Sequence, residues 1–320
     1  MSKRNEPRFV LAPLAGFTDA AFRRICARYG ADLAYTEMVS AAGLAHGSRP
    51  TRQLMEVLPG EGPVACQLFG AVPDELEFAA REATAVGRFV ELNLNAGCPV
   101  PKVLREGAGA ALVKDPERVY ALLAAMRRGT SLPVTLKTRP GPKPDRVLLF
   151  ELLDAATRAG AAGFILHARF TSQAHSGMVH LELLAELVER AKMPVTGNGG
   201  VVDAETARAM ADTGVAGIMV GRAALANPEI FTVLKGGAAT HDKIELFGEH
   251  LASIVELQAA LARDFPDDPV QSLDGMSSVQ LHTHLFRYFA GRPGAAKLRR
   301  RLNSIRTYAE VEACAKEIAG

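Results

Sequence analysis

One cysteine of this chain, Cys98, comes just after a strand-like segment. This position suggests a chemical role more strongly than any other feature of the sequence. Residues 90–99 read Val-Glu-Leu-Asn-Leu-Asn-Ala-Gly-Cys-Pro. Apolar and polar residues alternate from Val90 to Asn95, the period of two that is typical of a β-strand. Small residues then lead into Cys98, and Pro99 fixes the turn after it. A buried structural cysteine is the plainer alternative, but the polar residues crowded before Cys98 favour a thiol that rigid backbone points outward.

Length and composition fit a large barrel with an appendage. The chain has 320 residues, is 48% hydrophobic and 22% charged, and carries a net charge of +2. It contains no apolar run of the 18 or more residues that a membrane span needs, and its polar start predicts no signal peptide. Its cysteines lack zinc-site spacing, so we expect a reduced cytoplasmic protein without metal. We also expect a monomer, in which the cysteines other than Cys98 are packing residues: Cys26, Cys66 and Cys314.

Eight short apolar runs in the first 225 or so residues each end in polar residues or glycine and precede an alanine-rich, helix-like stretch. This alternation predicts a (β/α)₈ barrel, with Asp74 and Asp203 as helix N-caps. An open doubly wound sheet is the main alternative, weakened because no G-x-G-x-x-G follows the first strand. The predicted strands are Phe9–Leu14, Leu33–Glu37, Val64–Phe69, Phe89–Asn95, Val134–Lys137, Phe164–His167, Pro194–Asn198 and Gly217–Val220.

The ends of these strands predict a binding site, because chemistry in such barrels collects where strands end. Gly199-Gly200 and Gly221-Arg222 follow the last two strands, where backbone N–H groups and a guanidinium are suited to phosphate. Gln67 and Asn95 offer amides to a ring edge, and Lys137 offers a positive charge to an electron-rich ring. Phosphate at one end and amides with lysine at the other indicate FMN.

Further segments make the chain recognisable as one that resembles the tRNA-dihydrouridine synthases, most closely their B-type bacterial branch, from about residue 9 to 305. The block Asn93-Leu94-Asn95-Ala96-Gly97-Cys98-Pro99 is quite specific to that family. Other matching segments are Leu11–Asp19, Thr36–Met38, Gln67–Gly70, Lys102-Val103, Gly107–Leu112, Lys137–Arg139, His167–Arg169, Asn198–Gly200 and Gly221–Ala223.

The resemblance implies that Cys98 is the proton donor. Together with the strand ends it gives the predicted FMN contacts: Ala12, Pro13, Leu14, Gln67, Asn95, Lys137, His167, Asn198, Gly199, Gly200, Gly221 and Arg222. The chain departs from the family pattern at Leu14, at Ala168 with Phe170, and at His175, where a tyrosine is common. We expect these departures to leave the flavin site intact and to fall on the substrate side.

The C-terminal region has a helical period from His241 onward, with Leu246, Ile254 and Leu257 on one stripe. Between residues 281 and 309 it carries seven Lys or Arg and no Asp or Glu. Taken alone, such a basic segment is equally consistent with a solvated surface. Attached to a flavin barrel, it indicates a surface that binds RNA phosphates. The predicted division is therefore a catalytic barrel over 1–238 and a helical tRNA-binding domain over 239–320. The predicted tRNA contacts are Arg139, Arg169, Arg287, Lys297, Arg299, Arg300 and Arg301.

These observations predict an FMN enzyme that uses NADPH to reduce the C5–C6 double bond of uridines in the tRNA D-loop. Hydride would pass from flavin N5 to C6, and Cys98 would protonate C5 from the opposite face. One alternative is a small-molecule flavin barrel resembling dihydroorotate dehydrogenase or an ene-reductase, which gives the basic tail no task. The other is an RNA-binding protein on a barrel that has lost catalysis, which would purify without a yellow flavin spectrum.

Overall fold

A closed parallel β-barrel forms the centre of the protein. The computed structural model describes residues 6–267 together with His284, Arg287, Tyr288, Glu310 and Ala313. Its strands, all paired in parallel, are β1 (Arg8–Leu11), β2 (Leu33–Tyr35), β3 (Val39–Ser40), β4 (Val64–Phe69), β5 (Glu91–Ala96), β6 (Val134–Thr138), β7 (Gly163–His167), β8 (Val195–Asn198) and β9 (Gly217–Val220). The sheet order is β2-β1-β9-β8-β7-β6-β5-β4-β3, and a β2–β4 pairing closes the ring. The predicted (β/α)₈ barrel is confirmed. Strands β2 and β3 both pair with β4, so together they occupy one strand position of the barrel.

Helices alternate with the strands and cover the outside of the barrel. They are α1 (Ala20–Arg28), α2 (Ala41–Ala45), α3 (Arg49–Gln53), α4 (Pro73–Ala85), α5 (Pro101–Arg105), α6 (Pro116–Arg128), α7 (Leu149–Arg158), α8 (Leu181–Arg190), α9 (Ala204–Ala211), α10 (Ile230–Leu234) and α11 (Lys243–Asp264). Short 3₁₀ turns span Gly109–Lys114, Thr171–Gln173 and Arg222–Ala224. No helix of the described residues is both long and apolar enough to cross a membrane.

Helix starts and strand ends differ from the sequence prediction in two respects. Asp203 caps α9 as predicted, but Asp74 does not cap α4. Pro73 occupies the first helical position there, so the N-cap is Val72 and the aspartate lies in the first turn, where its charge still suits the helix dipole. Strand β1 ends at Leu11 rather than residue 14, because the chain then turns and the amides of residues 17 and 18 donate to Leu14 O.

Polar side chains cross the inside of the barrel in an unbroken series of hydrogen bonds. The Tyr35 hydroxyl and the Thr135 hydroxyl each donate to Glu91 at 2.6 Å. Asn93 Nδ2 donates to Thr135 Oγ1 at 2.8 Å, and Gln67 Nε2 donates to Asn93 Oδ1 at 2.7 Å. Burial raises the pKa of the Glu91 carboxyl, which these hydroxyl donors partly oppose. The network leads to the carboxyl ends of the strands, where Gln67 Oε1 accepts a hydrogen bond from Asn95.

Helix α11 packs its apolar stripe against α1 on the outside of the barrel. Leu246, Ile254 and Leu257 are all buried, which confirms the stripe predicted for this segment. The division of the chain at residue 238 stays a prediction. Most of the predicted basic tail lies outside the described residues, as does Cys314; the tRNA contacts concerned are Lys297, Arg299, Arg300 and Arg301.

Candidate active site

The end of β5 holds the Cys98 thiol at the barrel mouth. Asn95 Oδ1 accepts hydrogen bonds from the backbone N–H groups of Gly97 at 3.1 Å and Cys98 at 3.0 Å. Asn95 Nδ2 donates to Gln67 Oε1 at 2.8 Å, which joins the turn to the polar network inside the barrel. Cys98 is partly exposed, whereas Cys26 and Cys66 are fully buried. The amide of Asn95 therefore fixes the one partly exposed thiol among the described residues.

Arg139 supports the cysteine turn from the side of β6. Its Nε donates to Gly97 O at 2.7 Å, and its Nη1 donates to the carbonyls of Arg169 and Phe170 at 3.2 Å each. The residue is only 1% exposed, and burial lowers the pKa of its guanidinium to about 10, an effect that Cys98 opposes. A tRNA phosphate would have to displace these carbonyls to reach the guanidinium, and the predicted tRNA contact of Arg139 stays a prediction.

Lys137 lies at the centre of the mouth. Strand register places it beside Asn95, and its Nζ donates to Asn198 Oδ1 at 3.0 Å. Asn198 Nδ2 in turn donates to Met219 O at 2.8 Å, which fixes the amide. Burial lowers the pKa of Lys137 to about 7, and the nearby Arg139 charge adds to this effect. An electron-rich or anionic partner at this ammonium would raise its pKa and stabilise its charged form.

A pocket suited to an anion opens beside Asn198, the hydrogen-bond partner of Lys137, between the ends of β7, β8 and β9. Arg169 and Arg222 line it, and no Asp or Glu does among the described residues. Gly199 and Gly200 have φ angles of +115° and +78°, a backbone conformation that glycine favours. A Cβ on Gly200 would lie 2.7 Å from the Val179 side chain, so a side chain would not fit there. Cations and exposed amides without a carboxylate match the phosphate site expected at these strands.

His167 lines the pocket and carries an unsatisfied nitrogen. The residue is 9% exposed, and its Nε2 has no hydrogen-bond partner among the described residues. Burial, followed by the charges of Lys137 and Arg139, lowers the pKa of this imidazole well below its usual range, so the ring is neutral. Buried polar atoms are almost always hydrogen-bonded, so the orphaned nitrogen fits a ligand that brings its own polar group.

The turn after β1 forms the wall next to β9. A Cβ built on Gly221 would lie 3.6 Å from Ala12 Cβ and 3.7 Å from Leu14 Cδ2. The glycine therefore keeps a narrow space open between the two strand ends. Pro13 lies between these two wall residues in the chain. The structure thus brings the predicted FMN residues to one end of the barrel, and their contacts with a flavin stay predictions.

His175 lines the same pocket as the predicted phosphate contacts. We expected this departure from the family pattern to fall on the substrate side, and the division into flavin and substrate sides stays a prediction. The His175 ring stacks on His167 with centroids 5.9 Å apart, and its carbonyl accepts from Arg222 Nη2 at 3.0 Å. Arg169, predicted to contact tRNA, also lines this pocket and donates from Nε to Gly177 O at 3.0 Å. The sequence marked His175 as unusual but carried no signal that the loop folds back.

Fold and site together define a class, the (β/α)₈-barrel oxidoreductases. The same fold occurs in the solved structure of a morphinone reductase mutant in complex with tetrahydroNAD. That comparison has a TM-score of 0.53 at 14% identity and covers 75% of this chain and 90% of that one. The family model of dihydrouridine synthase (Dus) matches residues 10–319. The chain belongs to the dihydrouridine synthase family, which confirms the resemblance read from its motifs.

Curated relatives extend this result over most of the chain. A probable tRNA-dihydrouridine synthase of Treponema pallidum is 36% identical over 230 residues, covering 69% of this chain and 68% of the relative. The tRNA-dihydrouridine synthase B of Pseudomonas aeruginosa is 32% identical over 302 residues, covering 93% and 88%. A probable tRNA-dihydrouridine synthase 1 of Synechocystis is 32% identical over 314 residues, covering 95% and 84%. The protein is accordingly an oxidoreductase, as the sequence predicted.

Proposed function

We propose that this protein reduces the C5–C6 double bond of uridines in the tRNA D-loop to dihydrouridine, with bound FMN and with NADPH as the hydride source. The observation that carries the proposal is the Cys98 thiol, held by Asn95 at the same barrel mouth as Lys137 and the anion pocket. The names of the relatives from Pseudomonas aeruginosa and Treponema pallidum, which specify tRNA, support the choice of substrate.

Residues of the pocket fit the cofactor. Arg222 and the backbone N–H groups of Gly199 and Gly200 would hold the phosphate, and Lys137 would lie beside the ring system. His167 Nε2, unpartnered among the described residues, would gain a polar partner on the flavin. When bound, FMN supplies two-electron chemistry, accepting hydride from NADPH and delivering it to the substrate.

Cys98 supplies the proton that completes the reduction. Hydride added at C6 leaves negative charge on C5 and the adjoining carbonyl, and the thiol S–H bond breaks to give its proton to C5. The two additions together saturate the double bond, and solvent returns a proton to the thiolate. Asn95 holds the backbone of the thiol in place, and Arg139 holds the carbonyl of the preceding residue. This division of tasks needs no other acid among the described residues at the mouth.

RNA must present the uridine outside its base stack, because an enzyme cannot reach the reacting atoms of a base that stays stacked in a duplex. Arg287 supports a role for the C-terminal segment in this step. It is exposed, and its guanidinium lies 4.8 Å from the ring centroid of Phe17, in the turn that follows β1 at the carboxyl end of the barrel. The basic residues from 297 to 301 lie outside the described part of the chain, and their tRNA contacts are part of this proposal.

The test is turnover on tRNA that lacks dihydrouridine. Purified protein, NADPH and tRNA from a strain without this modification should yield dihydrouridine, mapped to individual positions by nucleoside mass spectrometry of isolated tRNA fragments. NADH in place of NADPH tests the hydride source. Reduction of free uridine at a comparable rate would favour a small-molecule enzyme instead. A colourless protein that binds tRNA but takes up no FMN would favour an RNA-binding protein without catalysis.

A further inference from the structure

A second cluster of polar side chains lies between helix α1 and the C-terminal part of the chain. Asp19 caps α1, His250 belongs to α11, and His284 comes from the described part of the tail. These residues are 8%, 0% and 1% exposed. One donor atom from each lies within 4.8 Å of the other two. Three potential ligands from distant parts of the chain thus meet in the interior.

Imidazole nitrogens in this cluster lack well-formed hydrogen bonds. His250 Nε2 has no hydrogen-bond partner among the described residues, and neither ring nitrogen of His284 has one of good geometry, although the Phe17 backbone lies close enough to raise the pKa of the His284 ring. The two rings are nearly perpendicular, at 77°, with centroids 4.5 Å apart. Buried polar atoms without a partner are rare in folded proteins, and each one calls for a physical reason. A ligand that accepts electron pairs from nitrogen would provide that reason.

The remaining polar atoms of the cluster have partners that orient it. The Tyr288 hydroxyl lies 3.2 Å from His250 Nδ1, which leaves Nε2 for a ligand. Asp19 Oδ1 accepts from Phe22 N at 2.8 Å, which orients its carboxylate at the start of α1. The Phe22 ring packs against both imidazoles, with centroid distances of 5.4 and 5.0 Å. Outer hydrogen bonds and an apolar shell of this kind orient the ligands in protein metal sites.

We propose that Asp19, His250 and His284 bind one divalent transition-metal ion, with zinc as the best match, and that a water molecule completes a tetrahedral site. Nitrogen and carboxylate ligands at about 2.0–2.2 Å are those that zinc takes in proteins. Such bonds place the ligand atoms roughly 3.3–3.6 Å apart, so from present separations of up to 4.8 Å the three groups would move inward on binding. Burial keeps both imidazoles neutral by lowering their pKa, and the neutral form is the one that binds metal. At His284 the backbone of Phe17 opposes this lowering of the pKa only in part.

The ion would connect the catalytic barrel to the C-terminal segment. Asp19 belongs to the β1–α1 connection of the barrel, whereas both histidines come from residues 250 and beyond. None of the three ligands lines the anion pocket, and the metal site does not depend on the proposed reaction. The site also departs from the expectation of a metal-free protein. The sequence could not predict it, because residues 19, 250 and 284 show no recognisable ligand spacing.

The experiment is metal binding by the full-length protein, purified without a metal-affinity step and stripped with EDTA. Titration with Co²⁺ should give one equivalent bound, with the visible d–d absorption of a tetrahedral N/O site, and Zn²⁺ should displace it. Metal should also raise the thermal unfolding midpoint of the stripped protein. Elemental analysis of protein before stripping should find up to one zinc per chain.

Variants assign the binding to the cluster. His250→Gln and His284→Gln should abolish the cobalt absorption, whereas His46→Gln, at an exposed histidine, should keep it. Tyr288→Phe should weaken cobalt binding by about 10- to 100-fold, the usual effect of removing an outer partner of a ligand. Stripped wild-type protein that gives no cobalt absorption would overturn the proposal. Absorption that persists unchanged in Tyr288→Phe and in a folded His284→Gln would overturn it as well.

Discussion

The ammonium of Lys137 and the side-chain oxygen of Asn198 lie 3.0 Å apart, which links the ends of β6 and β8 across the intervening β7. Because Asn198 also donates to Met219 O, its amide presents oxygen to the lysine and cannot turn away without losing a bond. The pair fixes the Lys137 amine at the centre of the mouth. His167, at the end of β7, borders the same space, and its Nε2 has no partner among the described residues. A bound anionic flavin would hold this amine in its charged form and would offer a partner to the imidazole nitrogen.

Removal of the pocket arginine should weaken flavin binding. Arg222→Ala loses charge-assisted hydrogen bonds to the FMN phosphate, worth on the order of 1.5–3 kcal/mol, so the dissociation constant should rise by roughly 10- to 100-fold. The protein should purify with less flavin and an unchanged fold. Fluorescence titration of stripped protein with FMN measures the effect, and Arg208→Ala, on the exposed face of α9, is the matched control. Equal affinities in the two variants would contradict the assignment of the pocket.

The pKa of Lys137 predicts a pH dependence of stability in the flavin-free protein. Burial lowers this pKa from 10.5 to about 7 in the folded state. Between these values the unfolded chain holds a proton that the folded chain lacks, so the contribution of Lys137 to the free energy of unfolding rises with pH. We expect flavin-free Lys137→Met to be more stable than wild type near pH 7. Its advantage should shrink by at most about 1.4 kcal/mol per pH unit toward about pH 9.

Chemical unfolding of both proteins at several pH values measures this difference. Lys192→Met, at an exposed position, controls for the loss of a lysine elsewhere. A stability difference that stays flat from pH 7 to about 9 would show that the Lys137 ammonium keeps its ordinary pKa.

A buried ion pair beneath α1 should contribute to stability. Arg23 Nε donates to Glu61 at 2.7 Å, and both side chains are almost fully buried, at 1% and 0% exposure. Glu61→Gln leaves the guanidinium charge unpaired in the interior, which typically costs about 3–5 kcal/mol of unfolding free energy. Glu256→Gln is the control, because the ion pair of Glu256 with Arg24 lies at the surface. Its loss should lower the unfolding free energy by less than about 1 kcal/mol. Similar denaturation midpoints for the two variants would contradict this prediction.

Local patterns in the sequence predicted the barrel and the position of its thiol. Alternation before Cys98 defines β5, and the stripe through Leu257 defines α11, because both follow from the repeat of a single element. The N-cap of α4 was predicted wrongly because Pro73 competes with Asp74 for the helix start. Here two local rules disagreed, and the fixed φ of proline decided the outcome.

Long-range contacts account for what the sequence did not reveal. His175 reaches the anion pocket because its loop folds back, with His180 N donating to Ala168 O at 2.8 Å. Arg139 is buried because three backbone carbonyls from two different loops converge on it. Neither arrangement has a spacing or period in the chain. Such contacts arise only when separate strand ends meet around the closed barrel.

The basic tail should provide the salt-sensitive part of tRNA binding. Replacement of Arg299, Arg300 and Arg301 together by glutamine removes three positive charges and should weaken tRNA binding. It should also flatten the dependence of log affinity on log salt, because fewer counterions are released. Reduction of the flavin by NADPH should change little. An unchanged salt slope would mean that these arginines form an ordinary solvated surface.

The last prediction concerns the chemical role of Cys98. If it is the general acid, Cys98→Ala should still bind FMN, oxidise NADPH and bind tRNA, since Asn95 contacts the backbone of this residue and not its thiol. Dihydrouridine formation should fall by about 10²- to 10⁴-fold, the usual contribution of general acid catalysis. Cys98→Ser should restore little, because a hydroxyl is a much weaker acid than a thiol. The measurement is single-turnover reoxidation of pre-reduced enzyme by tRNA, and equal rates for wild type and Cys98→Ala would show that the proton comes from another group.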